Sequence, residues 1–276
     1  SWIIVILTFP IFGVCLYLLF GRSGAVNIMR GRFTRTDTEL QPHYATPLDR
    51  AAMPQDPALQ NQIHYLQTQA HYPACRNTDV TYYGDTNAAL EAQKTDLRKA
   101  QHFIFMEYHA IEDSIAWQGI EDILAERAAA GVEVRVFYDD MGSIGFVDTA
   151  FAKKLQQRGI QCRVFNPIVP VLNVFMNNRD HRKITVIDGQ VGYTGGYNLA
   201  DEYFNLTHPY GRWKDSGVRL EGDAVRNLTL IFLEMWGTTQ KEMPAIEPYL
   251  PAIRYTAREA ATVLPYADNP LDDKRV

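Results

Sequence analysis

The chain has 276 residues, of which 46% are hydrophobic, enough apolar material to fill a sizeable core. Acidic residues outnumber basic ones by 32 to 27, which gives a formal net charge of −5. Because nucleic-acid-binding proteins usually present a basic face, this balance argues against a nucleic-acid partner. The three cysteines agree with a reducing compartment, and their wide spacing predicts no metal site: Cys15, Cys75 and Cys162.

An uncharged apolar stretch runs from residue 2 to residue 20. As a helix, its 19 residues would span about 28 Å, close to the hydrocarbon thickness of a bilayer. We therefore predict a transmembrane helix over residues 1–21. A cleavable signal peptide is one alternative, but the stretch has neither a basic leading region nor a clear cleavage site. A buried core helix is the other alternative.

Several arginines follow this stretch, and no acidic residue precedes Asp37. They are Arg22, Arg30, Arg32 and Arg35. By the positive-inside rule they predict a protein of the cell membrane whose remaining residues are cytoplasmic. The same side chains could hold anionic lipid headgroups.

From residue 36 to residue 78 the chain is polar and dotted with prolines, and we predict that residues 22–78 form a juxtamembrane connector with one helix at 57–70. From residue 79 onward strands alternate with helices, which indicates an α/β fold whose sheet is covered on both faces. The predicted strands are 80–83, 103–108, 132–138, 160–165, 184–187, 191–194 and 217–220, and the predicted helices are 88–100, 115–130, 147–158 and 224–236.

Two features precede the most informative part of the chain. Asp140, in the sequence Asp139-Asp140-Met-Gly142-Ser143, follows a predicted strand at the end where α/β proteins gather their sites, so we expect it to line a site. Residues 166–178 form an apolar, uncharged segment with two prolines. This segment either reaches acyl chains at a membrane surface or forms a buried crossover.

Residues 181–198 combine chemical groups suited to a phosphodiester. His181 and Lys183 stand two residues apart, so on a strand their side chains point to the same face. The anionic oxygens of a phosphodiester repel nucleophiles until they are neutralised, and here a nucleophile would lie beside a fixed positive charge. Further residues follow in the spacing His-x-Lys-x4-Asp-x6-Gly-Gly-x-Asn: Asp188, Gly195, Gly196 and Asn198. The alternative without chemistry is a buried strand pair with a core histidine and a solvated lysine.

This spacing resembles the signature of the phospholipase D superfamily. The resemblance implies that His181 is a nucleophile that forms a phosphohistidine, and that Lys183 and Asn198 donate to phosphate oxygens. It implies that the two glycines, Gly195 and Gly196, let the backbone approach the phosphate closely. It groups Asp188 with the catalytic residues, although the place of Asp188 before Gly189 favours a structural role in the turn.

A carboxylate normally orients a catalytic imidazole and supports its charged form. Asp215, in a Trp-x-Asp segment before a predicted strand, is the first candidate, and an ordinary turn residue is the alternative. Glu107 is the second candidate. It lies in an apolar strand, where its charge would be costly, so a partner or a polar cleft must receive it.

The order of elements along the whole chain is similar to bacterial cardiolipin synthases of the phospholipase D type. This resemblance implies a mixed sheet flanked by helices over residues 79–243, as one half of a two-half enzyme. Residues 244–276 would then be a linker and the opening of the second half. Because the chain starts with Ser1 and has one motif, we expect it to be a fragment. Such a fragment would be weakly active or inactive alone, since the histidine that protonates the leaving group would lie in the missing half.

The implied reaction is transphosphatidylation of two phosphatidylglycerol molecules to cardiolipin and glycerol, with no cofactor and no metal. The implied partners are phosphatidylglycerol, anionic membrane lipids and the second half of the full-length chain. One alternative is a hydrolase, either a phospholipase D or a single-motif nuclease that dimerises. The other is a membrane-anchored half-protein that acts as a subunit or scaffold.

Overall fold

A seven-stranded mixed sheet lies at the centre of the computed structural model, which describes residues 2–17, 24–167, 179–242, 245–259 and 261–271. Three neighbouring strands at one side of the sheet are parallel, and all other pairs are antiparallel. In order across the sheet, the strands are β1 (Thr78–Tyr83), β7 (Gly217–Gly222), β6 (Val191–Gly195), β5 (Lys183–Ile187), β2 (Phe103–Tyr108), β3 (Glu133–Asp139) and β4 (Gln161–Phe165). The prediction of a mixed α/β sheet flanked by helices is confirmed.

Helices cover both faces of the sheet. In chain order they are α1 (Trp2–Thr8), α2 (Pro10–Leu16), α3 (Gly24–Leu40), α4 (Pro57–Thr68), α5 (Thr86–Leu97), α6 (Ile115–Ala129), α7 (Phe151–Gln157) and α8 (Val225–Thr238). Helices α5, α6 and α7 pack on one face, and α8 packs on the other. The central strand β2 is therefore buried along its whole length, as its unbroken apolar run predicts.

Helix α8 lies between the sheet and α3. All of its residues except Arg226 are buried, and the ring of Phe232 stacks on Phe105 of β2 with centroids 4.5 Å apart. Helix α3 contributes Phe33 and Leu40 to the same core, with the buried Thr36 between them. These positions recur at helical spacing, but the polar residues around them conceal the pattern, and no helix was predicted there.

The predicted elements of the α/β region are all present. Every strand begins and ends within two residues of its predicted bounds, and the bounds of β2 match the prediction fully. Helix α7 differs most, because it begins at Phe151 instead of residue 147. Turns occupy the preceding residues, and the Asp148 carboxylate accepts a hydrogen bond from the Ala150 amide at the start of the helix.

The apolar N-terminal stretch differs from the predicted single helix. It is divided at Phe9, between α1 and α2, where Pro10 lacks the N–H needed to continue the helix. The two helices touch, since a Cβ added to Gly13 would lie 2.7 Å from the Ile6 Cα. Within the described residues, none of the helices combines the length and the apolar character needed to cross a membrane. Residues 18–23 lie outside the described part.

The C-terminal segment packs back onto the α/β layers. Val263 and Cys75 exchange backbone hydrogen bonds of 2.8 Å in both directions. Farther along, Leu271 is buried in the core beside α8, and the Asn269 amide donates to the Glu234 carboxylate at 3.0 Å. The segment therefore contributes to the core of the described structure.

Candidate active site

The residues of the predicted motif meet at one edge of the sheet. Strand β5 runs antiparallel to β2, with Lys183 paired to Tyr108, so the start of β5 lies beside the end of β2. The end of β3 lies next to the end of β2 because these strands are parallel. The end of β6 and the start of β7 meet at the same edge, where Gly195 pairs with Gly217.

His181 and Lys183 are in direct contact at this edge. The Lys183 Nζ lies 3.1 Å from Nδ1 and 3.4 Å from Nε2 of the His181 ring, and it donates to the His181 carbonyl at 2.8 Å. Lys183 is the first residue of β5 and only 6% exposed, whereas His181 precedes the strand and is exposed. A buried ammonium thus fixes the position of an imidazole that solvent can reach.

The electrostatics of this pair favour a neutral imidazole. Burial lowers the pKa of His181, and the neighbouring Lys183 and His109 lower it further. Burial also lowers the pKa of Lys183, to about 8, against the opposing effect of Asp180 and Asp215. At pH 7 the ammonium is therefore mostly charged while the imidazole retains the lone pair that a nucleophile needs.

Asn198 lies nearby on the loop after β6, and protein groups hold both ends of its amide. Its Oδ1 accepts a hydrogen bond of 3.1 Å from the Ala110 amide, and its Nδ2 donates to the Tyr203 hydroxyl at 2.9 Å. The side chain is 3% exposed. These contacts use one of the two amide protons, so the orientation of the second proton is fixed by the protein.

Asp215 lies beside the motif, in the loop before β7. Within the described ranges it makes no hydrogen bond to His181, so its expected role in orienting the imidazole stays a prediction. Its carboxylate instead accepts from the Ser216 amide at 2.8 Å and from the Trp213 indole at 3.3 Å, which closes the loop before β7. It still raises the pKa of Lys183, and so supports the ammonium.

The two glycines of the motif fit tightly against this loop. A Cβ added to Gly195 would lie 2.6 Å from the Ser216 carbonyl oxygen, and one added to Gly196 would overlap Oδ1 of Asp215 and lie 2.9 Å from its Cγ. The absence of a Cβ is thus required by the packing of β6 against the loop before β7.

Gly196→Ala is expected to destabilise the fold by about 1–3 kcal/mol, because the added methyl must displace the Asp215 carboxylate. In an Asp215→Ala background the obstruction is gone, and the same substitution should cost less. Urea unfolding of the wild type, both single variants and the double variant measures the coupling, which should reach about 0.5 kcal/mol or more. Purely additive effects would show that the two residues do not interfere.

Asp188 lies at the far end of β5 from His181, and its side chain bonds only backbone amides. Its Oδ1 accepts from His102 and Phe103 at 2.8 Å each, and its Oδ2 accepts from Gln101 at 2.8 Å. Its own φ is +51°, in the left-handed region. These contacts tie β5 to the start of β2, a structural role of the kind expected for this residue.

Glu107 faces away from His181, towards α8, which contradicts its predicted role in orienting the imidazole. It is fully buried, and its Oε1 lies 2.9 Å from Nε of Arg182. Arg182 also lies 3.2 Å from Asp180 and 3.4 Å from Glu234. The sequence argument that a partner must receive the Glu107 charge holds, but the partner is the arginine inside the motif.

This buried network, defined as Arg182 with Glu107, Asp180 and Glu234, has three carboxyl groups around one guanidinium. Burial lowers the pKa of Arg182, but the carboxylates raise it by more, so the guanidinium stays charged. Burial raises the pKa of Glu107, and it raises that of Glu234 to about 7. Near neutral pH the network therefore holds protons on part of its carboxyl groups.

Asp139, and not the predicted Asp140, is the buried carboxylate at the end of β3. Its Oδ2 accepts from the Asp180 amide at 2.9 Å and its Oδ1 from the Gly142 amide at 3.1 Å. The Arg179 guanidinium lies 3.3 Å from the same Oδ1. Asp139 thus connects the loop after β3 to the backbone that leads into His181. The sequence argument selected Asp140, but both residues stand at the same end of the strand, and the sequence does not tell which of them accepts the backbone donors of the neighbouring segments.

His109, which the sequence analysis did not single out, is the second imidazole at the site. Its ring lies 4.5 Å from that of His181, centroid to centroid, and its Nδ1 is 2.7 Å from the Asp180 carbonyl oxygen. Its position directly after β2 was the signal in the sequence that could have identified it.

Across the described ranges, no group of three or more His, Cys, Asp or Glu side chains could hold a metal ion. The predicted loop at 166–178 lies outside the described residues beyond its first two positions.

Comparison with known protein families agrees with the motif. Residues 94–236, just over half of the chain, match the family described as "Cardiolipin synthase, PLD-like domain". Residues 1–22 match the family described as "Phospholipase_D-nuclease N-terminal". Among solved structures, the chain is similar to NucT from Helicobacter pylori, with a TM-score of 0.45 and 11% identity over 58% of this chain and 97% of that one.

The similar curated proteins are longer than this chain. An uncharacterized protein of Streptococcus mutans serotype c is 37% identical over 278 residues, which cover 100% of this chain and 60% of that protein. A cardiolipin synthase of Staphylococcus aureus (strain Mu50) is 32% identical over 92% of this chain and 53% of its own length, and one of Geobacillus thermodenitrificans is 32% identical over 86% and 47%. The chain spans about half the length of the curated relatives it matches. From the family match and the site geometry together, we conclude that the chain belongs to the phospholipase D-like domain family of the cardiolipin synthases.

Proposed function

We propose that this chain is one half of a cardiolipin synthase and supplies a histidine nucleophile for transphosphatidylation. The observation that carries the proposal is the contact of 3.1 Å between the Lys183 ammonium and the imidazole of His181. An exposed neutral imidazole beside a buried ammonium suits attack on an anionic phosphodiester, because the ammonium stabilises the negative charge that builds up on the phosphate oxygens.

The reaction takes place in two displacements at phosphorus. In the first, a nitrogen of His181 forms a bond to the phosphorus of one phosphatidylglycerol, and the bond to the glycerol headgroup oxygen breaks. Glycerol leaves with a proton supplied by an acid in the second half of the full-length protein. In the second, a hydroxyl of another phosphatidylglycerol loses its proton to that same group and attacks the phosphorus, and the P–N bond breaks to give cardiolipin.

The surrounding residues serve the phosphate in this scheme. Lys183 and the remaining amide proton of Asn198 donate to its oxygens, and Gly195 and Gly196 let the backbone come close to it. Water must be excluded from the phosphohistidine, because its attack would give phosphatidic acid instead of cardiolipin. Charge stabilisation by these donors requires no metal ion and no cofactor.

The proposal includes attachment to the cell membrane through the N-terminal segment, with the α/β layers on the cytoplasmic side. The support is the apolar surface of α1 and α2, where Ile3, Ile4, Leu7, Ile11 and Phe12 are between 64% and 84% exposed. Side chains of this type in such number suit an acyl environment better than water. Membrane attachment would bring the site close to phosphatidylglycerol and other anionic lipids.

The product distribution of the full-length protein tests the proposal. Vesicles are prepared with phosphatidylglycerol labelled in the headgroup glycerol and, separately, in an acyl chain. We expect one glycerol released for each cardiolipin formed. Phosphatidic acid without cardiolipin would assign the protein as a phospholipase D, and the absence of both products would favour a non-catalytic half-protein.

A trapping experiment tests the covalent step separately. Acid-labile, base-stable label from phosphatidylglycerol carrying radioactive phosphorus should appear on the peptide that contains His181 when the reaction is stopped within one turnover. Label confined to a histidine of the second half would assign the attacking role to that half.

A further inference from the structure

The rings of His109 and His181 touch at the candidate active site. Their centroids are 4.5 Å apart and their planes are inclined by 47°. His109 follows the last residue of β2 and is half-buried, whereas His181 is exposed. One side of the otherwise solvent-accessible His181 imidazole is therefore covered by a second imidazole.

The contacts of His109 determine which of its nitrogens carries the proton. Its Nδ1 lies 2.7 Å from the carbonyl oxygen of Asp180, and a carbonyl oxygen can only accept a hydrogen bond. Nδ1 must therefore carry the proton, and in the neutral ring Nε2 has the lone pair. Because Asp180 directly precedes His181, the same hydrogen bond holds the backbone that leads into His181.

The loop after β3 presses on His109 from another side. A Cβ added to Gly142 would lie 2.7 Å from Cε1 and 2.8 Å from Cδ2 of the His109 ring, so only glycine fits there. The amides of Gly142 and Asp180 both donate to the buried Asp139 carboxylate, at 3.1 and 2.9 Å. One carboxylate thus fixes both backbone segments that contact His109.

We propose that His109 is a positioning residue for His181, holding its imidazole against Lys183 through the ring contact and through the hydrogen bond to the Asp180 carbonyl. This inference rests on the proposed role of His181 as the nucleophile. The benefit is geometric, since a reacting group displaced by about 1 Å can lose on the order of a hundredfold in rate. Without the support of His109, the exposed imidazole of His181 would be free to rotate in solvent.

The ring contact also has an electrostatic consequence. The charged or titratable groups around the two imidazoles are Lys183 on β5, Asp180 and Arg179 before it, and Asp139 on β3. Burial lowers the pKa of His181, Lys183 and His109 lower it further, and Asp180 raises it. Removal of the His109 ring takes away part of the burial and the lowering effect of His109, so the pKa of His181 should rise.

The experiment compares three substitutions of His109 in the full-length protein. His109→Ala removes both contacts, His109→Asn retains a donor for the Asp180 carbonyl, and His109→Phe retains the ring. The exposed His208→Ala is the matched control. Two quantities are measured: kcat/KM for phosphatidylglycerol against pH, and the rate at which diethylpyrocarbonate modifies His181, followed by peptide mass spectrometry against pH. Diethylpyrocarbonate reacts with the unprotonated imidazole, so this measurement does not depend on which reaction the enzyme catalyses.

For His109→Ala we expect kcat/KM to fall by about tenfold or more. We also expect both the acid limb of its pH profile and the midpoint of His181 modification to move to higher pH. Asn and Phe should each recover part of the activity, and His208→Ala should match the wild type. A loss of activity without any change in the His181 midpoint would mean a merely structural role and would overturn the proposal, as would an unchanged kcat/KM. If His109→Ala shifts the midpoint of His181 modification but the wild type makes no cardiolipin, the ring contact is supported and the proposed reaction is refuted instead.

Discussion

In the full-length protein, His181→Gln is expected to reduce cardiolipin formation by about 10⁴-fold or more, the scale of loss seen when a covalent nucleophile is removed. A glutamine side chain keeps a polar group near the Lys183 ammonium, but it cannot form the P–N bond. The fold should be unaffected, because His181 is exposed and precedes β5. The measurement is the initial rate of cardiolipin formation in phosphatidylglycerol vesicles, together with the trapped phosphohistidine.

His64→Gln provides the matched control, since it changes an exposed histidine on α4 in the same way. The control should have the wild-type rate and the wild-type unfolding midpoint. If His181→Gln retained a tenth or more of the wild-type rate while the covalent label persisted elsewhere, the nucleophile would have to be another residue, and the proposed role of this motif would be lost.

Arg182→Leu is expected to destabilise the chain by about 3–5 kcal/mol, the range for breaking one side of a buried ion pair. The substitution leaves Glu107, Asp180 and Glu234 without the cation they surround, and each of these side chains is at most 5% exposed. The free energy of unfolding in urea at pH 8 measures the effect. Arg212→Leu, at an exposed position near the site, is the control and should change it little.

The loss of unfolding free energy in Arg182→Leu should depend steeply on pH. In the wild type, burial raises the pKa of Glu234 to about 7 from an ordinary value near 4.5, so the folded protein binds this proton more tightly than the unfolded chain. The stabilisation that Glu234 contributes is therefore fully present below about pH 4.5, and it declines as the pH rises towards 7. Without Arg182 the carboxyl pKa values rise further, so the deficit of the variant should be greatest at pH 8 and smaller at pH 5. An equal deficit at both pH values would contradict the charged network.

The sequence was a good guide to the elements of the α/β region because their apolar patterns are strong and local. Strand β2 is recognisable from its unbroken apolar run, and α8 from its long apolar stretch. The contact between His181 and Lys183 likewise follows from two positions near the start of one strand. The helix α3 was missed because Phe33 and Leu40 are its main apolar contributions to the core, surrounded by polar residues.

The carboxylates were harder to assign because their partners are distant in sequence. Glu107 meets Arg182 only because β2 and β5 are neighbours in the sheet, and the sequence does not state the strand order. Asp215 closes its own loop, an outcome that was the stated alternative for it. Arg182 carried a usable signal, since a residue between two that share one face must point towards the opposite face.

The contact between Asn269 and Glu234 has a consequence for how this half acquires its shape. Arg182 connects Glu234 to the backbone beside His181, and Asn269 lies 88 positions after His181 in the chain. During synthesis the nucleophile leaves the ribosome well before the amide that completes the rear of its support. The catalytic edge should therefore become ordered only after the segment around Asn269 has been made and has packed against α8, so this half cannot act on lipids before that segment is in place.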